Sequence, residues 1–118
     1  MPYVDAFVLP VPKRKLAAYR RISRMAGKVW RHRGALEYRE CVGDVLRVKM
    51  GVPFPRLAKV RPGETVVFSW IVYKSRAARD RVNAKVMKDP RMAKAMNGPM
   101  PFDVRRMTMG GFAVFVDV

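Results

Sequence analysis

The sequence predicts an α+β domain of the ferredoxin-like kind, a split β-α-β arrangement in which helices cover one face of a four-stranded antiparallel sheet. Strand-like apolar segments lie near both ends and in the middle of the chain, and stretches of helical period separate them. At 118 residues, one core is favoured over two. Half the residues are apolar and 10% aromatic, so the chain can bury an interior despite its 29% charge. A single domain over residues 1–118 is therefore expected.

Tyr3–Leu9 reads as the first strand, stopped by Pro10 and Pro12. From Lys13 to Arg33 the period changes, with Leu16, Tyr19, Ile22, Ala26, Val29 and Trp30 on one side of a helix that Gly34 ends. Ala35–Val42 alternates, Leu36, Tyr38 and Val42 on one side and Glu37, Arg39 and Cys41 on the other, as a second strand does. Asp44–Pro62 carries Pro53, Pro55 and Pro62 and reads as an irregular excursion.

Glu64–Tyr73 is the clearest strand, with Val66, Phe68, Trp70 and Val72 on one face and Val67, Ile71 and Tyr73 on the other. Ser75 suits the N-cap of a helix through Lys88 whose Ala78, Val82 and Val86 recur at four-residue spacing. Asp89-Pro90 starts a short helix and Gly98-Pro99 ends it. Met107–Val118 supplies the last strand. The third strand and Phe112–Val118 are apolar on both sides, whereas the helices cover only one face. The bare face calls for a partner, and the sheet of a second copy is the economical one.

Charge narrows the partners further. Lys and Arg number 25 against 9 Asp and Glu, a net charge of +16, which favours polyanions and anionic surfaces. One cysteine, Cys41, permits no internal disulfide and fits a reducing, cytoplasmic compartment, where it reads as a small buried apolar residue. One histidine, His32, leaves no His cluster for a metal, and its place on the polar side of its helix argues against haem ligation. No phosphate-loop spacing surrounds the Gly110-Gly111 pair, so neither metal nor cofactor is expected. The longest apolar stretches fall far short of a membrane span.

Two groups of residues stand out. On the polar side of the first helix, Arg20, Arg24, Lys28 and Arg31 form part of a basic stripe, and no acid occurs between Ala6 and Leu36. Such a stripe suits phosphates of a nucleic acid or other polyanion, the plain alternative being an arginine-rich surface without a partner. Asp5 interrupts an apolar strand and must be paired, hydrated or functional. It is a candidate polar group for a pocket in which Tyr38 and Trp70 also stand, with Glu37 in the same sheet environment. The plain alternative is a buried acid paired with one of the sixteen arginines. Met87, Met92, Met96 and Met100 read as gap-fillers around the helix pair.

Nearly the whole chain, Tyr3 to Asp117, resembles the YbaA-like family of uncharacterised bacterial proteins. The residues that carry the resemblance are Tyr3–Phe7, Gly34–Tyr38, Val66–Ile71, Arg79–Asn83, Asp89–Met92, Met100–Asp103 and Gly110–Phe112. The sequence departs from the family pattern in Gly43–Pro53, where Arg47 and Lys49 replace an acidic loop. The resemblance implies the dimeric α+β barrel architecture and a homodimer, and carries no settled activity.

Two functional readings follow. One is a homodimeric ligand-binding module with a cofactor-independent, monooxygenase-like pocket between the sheet and its helices, holding a small aromatic ligand near Asp5, Tyr38 and Trp70. The other is an anion- or RNA-binding protein acting through the first helix.

Overall fold

The computed structural model describes residues 1–118. It consists of β1 (Tyr3–Pro12), α1 (Leu16–His32), β2 (Glu37–Val42), α2 (Phe54–Leu57), β3 (Glu64–Tyr73), α3 (Arg76–Met87), α4 (Pro90–Ala95) and β4 (Thr108–Ala113). The sheet order is β2-β3-β1-β4 and every neighbouring pair is antiparallel, which is the ferredoxin-like arrangement.

The first strand runs past its prolines, to Pro12 rather than Leu9. The reason lies in the pairing. Lys13 donates its N–H to Gly63 beside β3, whereas Val114 donates to the Pro2 carbonyl from the β4 side. Odd residues of β1 therefore turn their backbone groups toward β3 and even residues toward β4. Pairing with β4 ends at Val8–Thr108, so Pro10 and Pro12 put their missing donors where no strand needs one.

Cross-strand pairing fixes the two faces. Asp5, Phe7, Leu9, Tyr38, Glu40, Val67, Ser69, Ile71 and Tyr73 face the helices, while Val4, Ala6, Val8, Glu37, Arg39, Val66, Phe68, Trp70 and Val72 face away. The main core packs Ala26 and Val29 of α1, Ile71 and Tyr73 of β3, Val82 and Val86 of α3, and Met92 of α4. Ser75 caps α3 by accepting from the Ala78 N–H. Asp89, 1% exposed, caps α4 and takes hydrogen bonds from both Arg33 and Arg91, tying the C-terminal end of α1 to the start of α4. Those bonds, Arg91 foremost, hold its carboxyl far below the usual range.

Three expectations need correcting. The 43–62 excursion is not simply irregular: it contains α2 and folds onto the outer sheet face, where Ala58 is buried with Val8 and Val66, and Phe54 meets Phe68 edge-on at 5.9 Å. The outer face is thus partly covered by the chain itself. The last strand stops at Ala113, and Phe115, Val116 and Val118 beyond it are exposed. Cys41 is exposed on the edge strand β2, because its neighbour at the sheet's rim is solvent. No helix is long and apolar enough to cross a membrane.

Candidate functional site

Between the helix face of the sheet and α1, α4 and the segment that follows them lies a cavity of about 220 Å³. Its floor is Phe7 and Leu9 of β1, Tyr38 and Glu40 of β2, and Ser69 and Ile71 of β3. Tyr19, Ile22, Ala26 and Trp30 line it from α1, at the helical spacing that gives α1 its apolar side. Met87, Met92, Met96, Met100 and Met107 close the far side with Phe102. The methionines border an open space rather than fill it. Helix α4 is short and Gly98-Pro99 turns the chain away, which leaves room that longer packing would occupy.

Glu40 is the one charged residue lining this cavity. Its Oε1 accepts from the Tyr19 hydroxyl at 2.6 Å and its Oε2 from the Tyr38 hydroxyl at 2.7 Å. Burial first, then the Glu40 charge, pushes both tyrosine hydroxyls far above their ordinary range. They therefore remain protonated donors and the carboxylate the acceptor. Tyr38 sits beneath α1 with its ring 6.0 Å from that of Trp30, and Tyr19 meets Phe102 edge-on at 5.5 Å. The alternation of β2 places Glu40 on the same face as Tyr38 and opposite Ser69. That alternation was readable in the sequence. Its consequence was missed because Glu40, in a strand that also carries Glu37 and Arg39, looks like a surface residue until Tyr19 is brought over it.

Asp5, Tyr38 and Trp70 are not brought together. Trp70 lies on the outer face, where its indole N–H donates to Glu37 at 2.9 Å, so neither it nor Glu37 shares the environment of Asp5. That bond and one from Arg39 lower the Glu37 carboxyl. Asp5 faces the helices but lies under α3, outside the cavity. Arg79 approaches it at 3.7 Å and Asn83 at 3.5 Å, while Asn83 also accepts from Trp30 and Tyr73. The Arg79 guanidinium lies over the Tyr3 ring, 4.9 Å from its centre, and its buried Nε has no hydrogen-bond partner. Asp5 thus has the arginine neighbour that its burial demands.

The basic side of α1 forms a second feature. Arg20, Arg24, Lys28 and Arg31 are exposed, border a cleft of about 450 Å³ beside β2 with His32, and join no ion pair. Arg31 also donates to the Ala35 and Leu36 carbonyls, holding the turn into β2. Ser23, Tyr38 and Glu40 border both this cleft and the apolar cavity.

Among solved structures, the chain is similar to Rv0793 from Mycobacterium tuberculosis, with a TM-score of 0.60 and 15% identity over 99% of this chain and 98% of that one. It is similar to a candidate antibiotic biosynthesis monooxygenase from Nitrosomonas europaea, with a TM-score of 0.60 and 12% identity over 97% and 90%. A dimeric ferredoxin-like protein from an uncultured marine organism matches with a TM-score of 0.55 and 14% identity over the full length of both chains. At these identities the likeness shows the fold alone. In sequence, the uncharacterized protein YbaA of Escherichia coli strain K12 is 44% identical over 118 residues, 99% of each chain. The pattern described as protein of unknown function (DUF1428) matches residues 2–104, and with that full-length relative it establishes that the chain belongs to the DUF1428 family.

Proposed function

We propose that this protein is a homodimeric small-molecule-binding module whose ligand occupies the cavity between the sheet and α1 and α4. The observation that carries the reading is an apolar cavity of about 220 Å³ with a single carboxylate set into its floor. Apolar walls with a few convergent polar groups are the usual composition of ligand sites. The volume exceeds the roughly 150 Å³ at which an apolar cavity takes up benzene, so a ring or two fits. The fold shared with the Nitrosomonas europaea protein is in keeping with a monooxygenase-like pocket, in which Glu40 rather than Asp5 would be the polar group. Thermal-shift screening with small aromatic compounds tests the reading. Ligands should raise the melting temperature of wild type, and Ile22→Trp, which fills the cavity, should abolish the gain. If no aromatic compound stabilises wild type, the cavity is not a ligand site.

The homodimer is supported by the shape of the protomer. Its extents are 39 × 37 × 20 Å, and the thin dimension accommodates one sheet and one helix layer. Beyond the patch under α2, the outer face carries Val4, Trp70, Val72 and Phe112, the last 59% exposed. A second sheet would cover them.

Polyanion binding through α1 is the second reading, favoured by the exposed cations Arg20, Arg24 and Lys28 with no carboxylate paired to them. Salt-dependent retention on a polyanion column tests it.

A further inference from the structure

We infer that the ligand of the cavity is an uncharged, ring-bearing apolar molecule that presents a hydroxyl group to the Glu40 carboxylate. This rests on the cavity being a ligand site, and goes on to say what chemistry that site selects.

Glu40 is unlike the other acids of the chain. Asp5, Glu37, Glu64, Asp80, Asp89 and Asp103 each have an arginine within ion-pair distance. Asp44 and Asp117 are unpaired and exposed. Glu40 is half-buried and has no cation, in a chain with a net charge of +16 where one would be easy to supply. It is held instead by two neutral hydroxyls, at 2.6 and 2.7 Å.

That arrangement leaves the carboxylate incomplete. Each oxygen can accept about two hydrogen bonds, and Tyr19 and Tyr38 supply one to each. The remaining acceptor positions belong to a group that borders the cavity and that no protein donor reaches. Since both tyrosines donate to Glu40 and neither loses its proton at ordinary pH, the site offers acceptors and calls for a donor.

Charge decides which donor. An anionic ligand would meet the Glu40 carboxylate head-on. A cationic one would be repelled by Arg20, Arg24, Lys28 and Arg31, which line the adjoining cleft that Glu40 also borders. A neutral hydroxyl avoids both penalties and forms a charge-assisted bond. The rest of the ligand meets the rings of Phe7, Tyr19, Trp30 and Phe102 and thioethers that adapt to flat shapes, which favours rings over branched chains.

The test uses three probes of one size, naphthol, methoxynaphthalene and naphthylmethylamine, titrated calorimetrically into the wild-type protein at neutral pH. Naphthol should bind at least about tenfold tighter than its methyl ether, the ratio that a hydrogen bond to a charged acceptor supplies. The amine should bind more weakly than naphthol. In Glu40→Gln the preference for naphthol should shrink below about threefold while the ether still binds, because a neutral amide is the weaker acceptor. The wild-type ranking is read without any variant, so a fold defect in Glu40→Gln cannot obscure it. Equal binding of naphthol and ether overturns the donor assignment and leaves the cavity reading standing. Tightest binding of the amine overturns the neutral-ligand assignment. Failure of every probe to bind removes the cavity reading and this inference with it.

Discussion

The ring of Tyr38 occupies the space that a side chain at Gly27 would need: a Cβ there would stand 2.7 Å from Cδ1 and 2.8 Å from Cε1. Close approach of α1 to β2 at this point is what sets the Tyr38 hydroxyl on Glu40 and closes one end of the cavity. In a free helix, Gly→Ala gains about 1 kcal/mol. Here Gly27→Ala is expected to destabilise the protein by about 1–3 kcal/mol, since an overpacked ring must move, and to weaken ligand binding at the same time. Chemical denaturation together with a titration checks both effects.

Asp5 and Glu40 make opposite predictions. Asp5→Asn removes the more buried of the two carboxylates beside the Arg79 guanidinium, which Asp80 still approaches at 3.5 Å, and should cost about 1–2 kcal/mol of stability. Ligand affinity should be unchanged, because Asp5 lies outside the cavity. A large loss of affinity at intact stability would transfer the site from Glu40 to Asp5.

The pair Glu64–Arg106 sets an acid limit. Two hydrogen bonds from Arg106, foremost, and one from the Arg61 N–H lower the Glu64 carboxyl from 4.5 to about 2. A depressed folded-state value means that the charged form is favoured by folding. Its contribution is complete above 4.5 and is lost as pH falls through about 2. Melting temperature should therefore fall across that window in wild type, and fall less steeply in Glu64→Gln. Parallel profiles would show that the pair contributes nothing to acid stability.

Phe112→Glu places a charge on the outer face at a position already exposed in the protomer, so the fold should survive it. Light scattering should find wild type as a dimer at micromolar concentration and the variant as a monomer with unchanged circular dichroism. A well-folded wild-type monomer would exclude the sheet-to-sheet dimer.

Reversal of Arg20, Arg24 and Lys28 to Glu should weaken retention on a polyanion by at least about tenfold and flatten its salt dependence. The same reversal at Lys85, Lys88 and Lys94, which are equally exposed, is the control for net charge. Arg91 is unsuited to that role because it holds Asp89. Equal losses in both variants would mean that only the total charge matters.

The sequence by itself determined the order of the four strands and of α1, α3 and α4, the apolar side of α1, the two faces of β3, the Ser75 and Asp89 caps and the family. All of these rest on local periodicity, on short-range hydrogen bonding or on motifs that are contiguous in the chain. It also put Glu40 on one strand face with Tyr38, since the two are two residues apart. Only the tertiary structure decided that this face turns toward the helices. Tyr19 reaches Glu40 from twenty-one residues away, Phe102 and Met107 arrive from beyond α4, and no period in the sequence links them. The same holds for the errors. Pro10 reads as a strand stop because its free edge depends on where β4 ends, and Trp70 reads as a pocket residue because the side on which the helices pack is set by the fold as a whole. Strand alternation says which residues share a face. Which of the two faces encloses a cavity is decided by the helices that cross over it.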